Sequence, residues 1–194
     1  MDHLIQIIKG RQSIRKFKPE SLEQEALAAI IEAGRYAPSG HNVQTAHFVV
    51  IENQAVLDAL RQTVRDAFAG MEQPEDKHHP LYTSIRLSKK GSYNFMYNPA
   101  AFVIAANKRG YGNGMADTAL ALGNMMLMAQ EQGIGSCWIN QLRWLCDHEA
   151  VIAKLEELGI AKDEIVCGSL ALGYPDQPLR KEAMIRGNQV DYIK

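Results

Sequence analysis

The chain has 194 residues and a formal net charge of −1, with 46% hydrophobic and 22% charged residues. That is the profile of an ordinary globular chain, long enough to bury about 70% of its unfolded surface in one domain over 1–194. The near-zero charge offers no long-range attraction for nucleic acid or an anionic membrane. No apolar run approaches the roughly 20 residues of a membrane span, and the N-terminus is too polar for a signal peptide. Cys137, Cys146 and Cys167 form neither a disulfide framework nor a close-spaced metal pair. A reducing, cytoplasmic setting is therefore expected.

Ile5, Ile7 and Ile8 mark a short opening helix. The next stretch, Arg11-Gln12-Ser13-Ile14-Arg15, has two readings. It is the basic end of that helix behind a glycine stop, or it is extended, with Arg11, Ser13 and Arg15 on one face. Two guanidiniums around a hydroxyl would suit a phosphate monoester. Ser21 with Gln24 reads as a capping box for a helix carrying Leu22, Ala26, Leu27, Ile30 and Ala33 on one face. The loop Ala37-Pro38-Ser39-Gly40-His41-Asn42-Val43-Gln44 leads to a buried strand, His47–Ile51. Asn53 caps a second amphipathic helix with Val56, Leu57, Leu60, Val64 and Phe68 facing inward.

From 70 to 93 the pattern dissolves into charge, and a mobile flap or lid is expected there. His78-His79 has no carboxylate or cysteine partner in sequence, so it reads as surface and no metal site is expected. Ala100–Ala106 is a strand covered on both faces. A helix over 113–132 is apolar almost all round, which places it at the domain centre or a subunit contact. Ser136–Ile139 is a third strand, Asp147 caps a helix to Leu158, and Ile165–Leu172 is a fourth strand. The tail Gln189–Ile193 is strand-like without an obvious partner.

A dinucleotide turn at Gly110-Tyr111-Gly112-Asn113-Gly114 fails at its third glycine, where Asp117 stands. A carboxylate there would repel a pyrophosphate, so those glycines read as a turn. No nucleophile elbow or Walker-type loop is present. What remains binds rather than reacts: Arg11, Ser13, Arg15 and Arg180-Lys181 as oxyanion ligands, and Ser39, Asn42 and Gln44 as neutral hydrogen-bonders. Binders without an acid, base or nucleophile point to a cofactor that carries the chemistry.

Four stretches, Arg11–Arg15, Ala37–Gln44, Gly133–Ile139 and Ala171–Pro175, resemble in order and spacing the landmarks of the nitroreductase family. The resemblance covers essentially the whole chain. It implies an α+β sandwich with a central, mostly antiparallel sheet flanked by helices, a domain-swapped homodimer, and FMN at each subunit interface. It further implies that Arg11, Gln12 and Ser13 hold the phosphate and ribityl chain, with Arg15 near the pyrimidine edge. Pro38, Ser39, Asn42 and Gln44 would reach the cofactor from the partner subunit. Cys137, Trp138, Ile139 and Asn140 would pass over the flavin and supply a backbone amide, while Arg180 and Lys181 resemble a second basic phosphate contact. The activity implied is hydride transfer from NADH or NADPH through flavin N5 to a nitroaromatic, quinone or similar small acceptor, in two steps. Deiodination, flavin breakdown and azoline oxidation occur on the same fold, and a flavin carrier or sensor without turnover is the rival class.

Overall fold

The structure is a computed structural model that describes residues 3–180 and 187–194. Its centre is a four-stranded, wholly antiparallel sheet in the order β1-β2-β4-β3, formed by β1 (His47–Ile51), β2 (Ala101–Lys108), β3 (Gly135–Ile139) and β4 (Glu164–Gly173). The apolar run of β2 is buried on both faces over its first seven residues. Its alternation sorts the interior into two layers. Phe102, Ile104 and Ala106 face α3 (Gln54–Ala69), α4 (Tyr82–Lys89), α6 (Gln141–Trp144) and α7 (Glu149–Glu157). Ala101, Val103 and Ala105 face α2 (Gln24–Arg35) and α5 (Gly114–Glu131). Each large side chain buried this way contributes roughly 1.5–3 kcal/mol. The result is a helix–sheet–helix α+β sandwich. The opening helix α1 (His3–Gly10) has no buried residue.

Asn53 caps α3 as expected, its side chain accepting from the Val56 amide at 3.2 Å. Other local expectations fail. Ser21 and Gln24 do not form a capping box: Glu23 holds the N-cap position without a side-chain bond, and the Gln24 amide donates to Glu52 at 3.0 Å. Buried Leu22 fixes the chain just before the helix. Asp147 does not cap α7 either. His148 occupies that position, while the Asp147 carboxylate lies 3.5 Å from Arg109 Nη1. Inside the unpatterned 70–93 stretch lies α4, which packs on the core through Ile85. The tail 189–193 forms no strand in this chain, and Val190, Tyr192 and Ile193 stand exposed. Among the described residues no helix is long and apolar enough to cross a membrane.

Candidate functional site

The Arg11–Arg15 stretch is extended, which decides between its two readings. Ser13 makes a parallel bridge with Ser136 of β3, and the Ile14 amide donates to the Ser136 carbonyl at 2.9 Å. Further on, Phe17 bridges Pro175, and the Lys18 amide donates to the Tyr174 carbonyl at 2.9 Å. Two glycines allow this close approach. A Cβ on Gly135 would sit 2.7 Å from Ile14 Cγ1, and one on Gly173 would sit 2.9 Å from Phe17 Cδ1. The sequence landmarks around Gly135 and Gly173 are thus where the N-terminal stretch lies on the sheet.

With Ile14 buried, alternation turns Arg11, Ser13 and Arg15 to the other side. All three act on the Cys137 thiol. Burial pushes that thiol up, while Arg15, a hydrogen bond with Ser13, and Arg11 pull it back. Among the described residues neither guanidinium has a carboxylate within ion-pair distance. Two such cations flanking a hydroxyl form an anion site of the kind a phosphate monoester fills. Gln12 brings the far end of the chain to it: its amide donates to the Arg180 carbonyl at 3.2 Å and its oxygen accepts the Arg180 amide at 3.3 Å. Lys181 lies outside the described residues. The side chain of Gln177, which sequence reading missed, accepts the Arg15 amide at 2.9 Å.

Cys137 and Ile139 are buried in the core layer, so the β3 segment can offer a ligand only backbone at those two positions. Trp138 is half-buried. Its ring lies against Gly168 and packs in the α2–α5 layer, and its indole N–H donates to Asn140 Oδ1 at 2.6 Å. The Asn140 side-chain oxygen is thereby engaged within its own chain.

The second group of sequence candidates forms a different surface. The 3-10 turn Gly40–Asn42 carries left-handed backbone at His41 (φ 51°) and Asn42 (φ 54°), and Gln44 (φ 51°) follows. Such conformations cost of order 1 kcal/mol or more each, least for Asn. The loop is tied internally. The Gln44 amide donates to Ser39 Oγ and its side chain donates to Asn42 Oδ1, both at 3.0 Å. Asn42 and Gln44 are exposed. Pro38, Ser39, Asn42 and Gln44 line an open pocket of about 800 Å³, with Phe48 and Asp117 on its other walls. Arg11, Ser13, Arg15 and Cys137 do not line it. Within one chain the cationic candidates Arg11, Ser13 and Arg15 and the neutral candidates Pro38, Ser39, Asn42 and Gln44 therefore lie apart, the latter in a pocket that Glu32, Arg35 and Asp117 also line.

The description of the nitroreductase family matches residues 8–174. The chain belongs to the nitroreductase family. It superposes on a nitroreductase with bound FMN from Bacteroides fragilis with a TM-score of 0.90 and 33% identity, over 100% of both chains. It is 26% identical over 187 residues to a Bacillus subtilis protein named among the NAD(P)H nitroreductases, covering 93% of this chain and 89% of that one. An iodotyrosine deiodinase of Thermotoga neapolitana is 23% identical over 201 residues, covering 97% and 99%.

Two polar clusters in this nitroreductase-family chain escaped sequence reading. Tyr93 Oη lies 2.7 Å from Ser84 Oγ of α4 and accepts from Gln141 Nε2 at 2.7 Å. Burial raises the Tyr93 phenol above its ordinary value. The second cluster, at Tyr111 and Asp117, docks the 38–44 loop. Sequence carried a trace of it, since Asp117 is the residue that spoils the dinucleotide motif.

Proposed function

We propose that the chain is an FMN-dependent oxidoreductase, working as a homodimer with its sites shared across the subunit interface. It would take hydride from NADH or NADPH and pass electrons to a nitroaromatic, quinone or similar small acceptor. The observation that carries this reading is the split of the candidate residues into a cationic and a neutral half-site on one chain. A second copy supplies the missing half of each. The donor set fits FMN: Arg11 and Ser13 offer a cation and a hydroxyl for one terminal phosphate, Arg15 offers a further cation on the same face, and there is no pyrophosphate loop. When bound, FMN would supply the hydride and electron transfer.

The protein's own part is binding and orientation. Arg11 and Ser13 would hold the phosphate, with Arg180 and Lys181 supplying further positive charge. Arg15 would place a cation near the ring, where it favours an anionic reduced flavin. Backbone of Cys137, Trp138, Ile139 and Asn140 would border one face, and Pro38, Ser39, Asn42 and Gln44 of the partner would close the site. The 70–93 segment, tied to Gln141 through Tyr93, would act as a flap that shapes the acceptor side.

A mixing experiment tests the shared site. A charge-assisted hydrogen bond is worth roughly 1.5–3 kcal/mol, so Arg11→Ala should weaken FMN by about one to two orders of magnitude, and Asn42→Ala should also weaken it. In the mixed dimer of the two variants, one site collects both lesions and the other is intact. FMN binding and NAD(P)H oxidation with a nitroaromatic should return in up to about half the sites of each mixed dimer, because lesions combine only where they share a site. A mixed dimer confirmed by mass that stays as inactive as its parents sinks the shared-site reading. Recovered FMN without any NAD(P)H oxidation would favour a carrier.

A further inference from the structure

The function proposed above leaves the turn at Gly110–Gly114 and the buried carboxylate behind it without a task. Asp117 sits in the first turn of α5 and is 6% exposed. Its two oxygens accept the Gly40 amide at 3.1 and 3.2 Å, and one also accepts the Tyr111 hydroxyl at 3.1 Å. Tyr111 Oη lies 3.3 Å from the Gly40 carbonyl, so both polar groups of the Gly40 backbone meet this pair. The fit leaves no space for a side chain. A Cβ on Gly40 would stand 2.2 Å from Asn113 Nδ2 and 2.9 Å from Tyr111 Oη.

That anchor ties the start of the loop to α5, while the bonds beyond Gly40 run within the loop itself. The next residues carry three left-handed conformations without glycine, which persist only when surrounding structure enforces them. The bonds within the loop, Gln44 amide to Ser39 Oγ and Gln44 side chain to Asn42 Oδ1, shape it but do not fix it to the body of the protein, and the Asn42 and Gln44 side chains are exposed. A carboxylate that receives a main-chain amide on both oxygens and a tyrosine hydroxyl on one is a stronger restraint than a single bond within the loop.

We propose that Asp117, assisted by Tyr111, is the positioning residue of the 38–44 loop, holding Asn42 and Gln44 in the geometry with which they meet the flavin of the partner subunit. This rests on the shared-site reading above. Asp117 thus serves the other subunit's cofactor by holding the loop that meets it.

The test uses the full-length dimer. Asp117→Ala should raise the FMN dissociation constant about tenfold. Asp117→Asn should fall between it and the parent, because its oxygen still accepts the Gly40 amide while Tyr111 turns to the Gly40 carbonyl. Mixed dimers give the readout that a general loss of folding would not. Asp117→Ala with Arg11→Ala should recover FMN in up to about half the sites, whereas Asp117→Ala with Asn42→Ala should recover none. If Asp117→Ala does not fold, Tyr111→Phe takes its place in the same two mixtures. The proposal is overturned if the Asp117–Arg11 mixture stays empty while the Asn42–Arg11 mixture recovers, since Asp117 would then serve its own chain's site. If the Asn42–Arg11 mixture itself fails, the shared site falls and this proposal falls with it.

Discussion

Cys137 reports on the cationic half-site from beneath. The residue is 2% exposed, and burial raises its thiol above the ordinary value of 9.0 against the opposing pull of Arg15, Ser13 and Arg11. Burial wins because it removes water from a group that would have to become charged. The linkage follows from the sign. Below about pH 9 the thiol is protonated in both folded and unfolded chains, and its contribution to stability is fully present. As pH rises, the unfolded chain ionises first, and that contribution is lost toward the folded value. One such proton changes stability by up to about 1.4 kcal/mol per pH unit. Urea unfolding between pH 8 and 10.5 should therefore show a shallower decline for Cys137→Ala than for the parent. Cys167 and Tyr93, also raised by burial, keep some slope in both. Parallel curves would mean that the pull of Arg15, Ser13 and Arg11 cancels burial, and a steeper decline for Cys137→Ala would mean that it outweighs burial.

At the scale of elements, the N-terminal stretch is held to the sheet by contacts that a single methyl disturbs. Gly135→Ala would bring a Cβ within 2.7 Å of Ile14 Cγ1 and 2.9 Å of Ile14 Cβ. Overpacking of this kind costs typically 1–3 kcal/mol, and here the strain is relieved by lifting the stretch that carries Arg11, Ser13 and Arg15. A lower melting temperature together with weaker FMN binding is expected. An unchanged FMN affinity would separate the glycine from the site. The same elements explain what sequence could say. Alternation offered the extended Arg11–Arg15 face as one of two readings, which only the bridge to Ser136 decided, and an unbroken apolar run of strand length marked the doubly buried β2. The α4 helix was invisible because its buried face is Ser84, Ile85 and Ser88, two of them polar. The four residues of α6 are too few to show a period. Asp117 could be read only as a charge in the wrong place, since the Gly40 amide that uses it lies 77 residues away.

For the whole molecule, the described surface carries more apolar area than one copy of the chain covers. No residue of α1 is fully buried, and Leu4 is 56% and Ile8 43% exposed. Tyr36 and Val43 beside the neutral half-site, Leu120 on α5, and Tyr192 and Ile193 in the tail are exposed as well. Scattered single residues would need no explanation, but an amphipathic helix without a buried face does. A second copy explains both the uncovered surface and the divided site, and obligate interfaces of this type bury roughly 2,000–5,000 Å² or more. Sedimentation should accordingly give twice the 21.6 kDa chain mass at low micromolar concentration. Replacing Leu4 and Ile8 together by serine should shift the balance toward monomer. On the shared-site proposal, dissociation and flavin loss should then run in parallel along a dilution series. A stable monomer that keeps its FMN through that series would defeat the dimer and the shared site together.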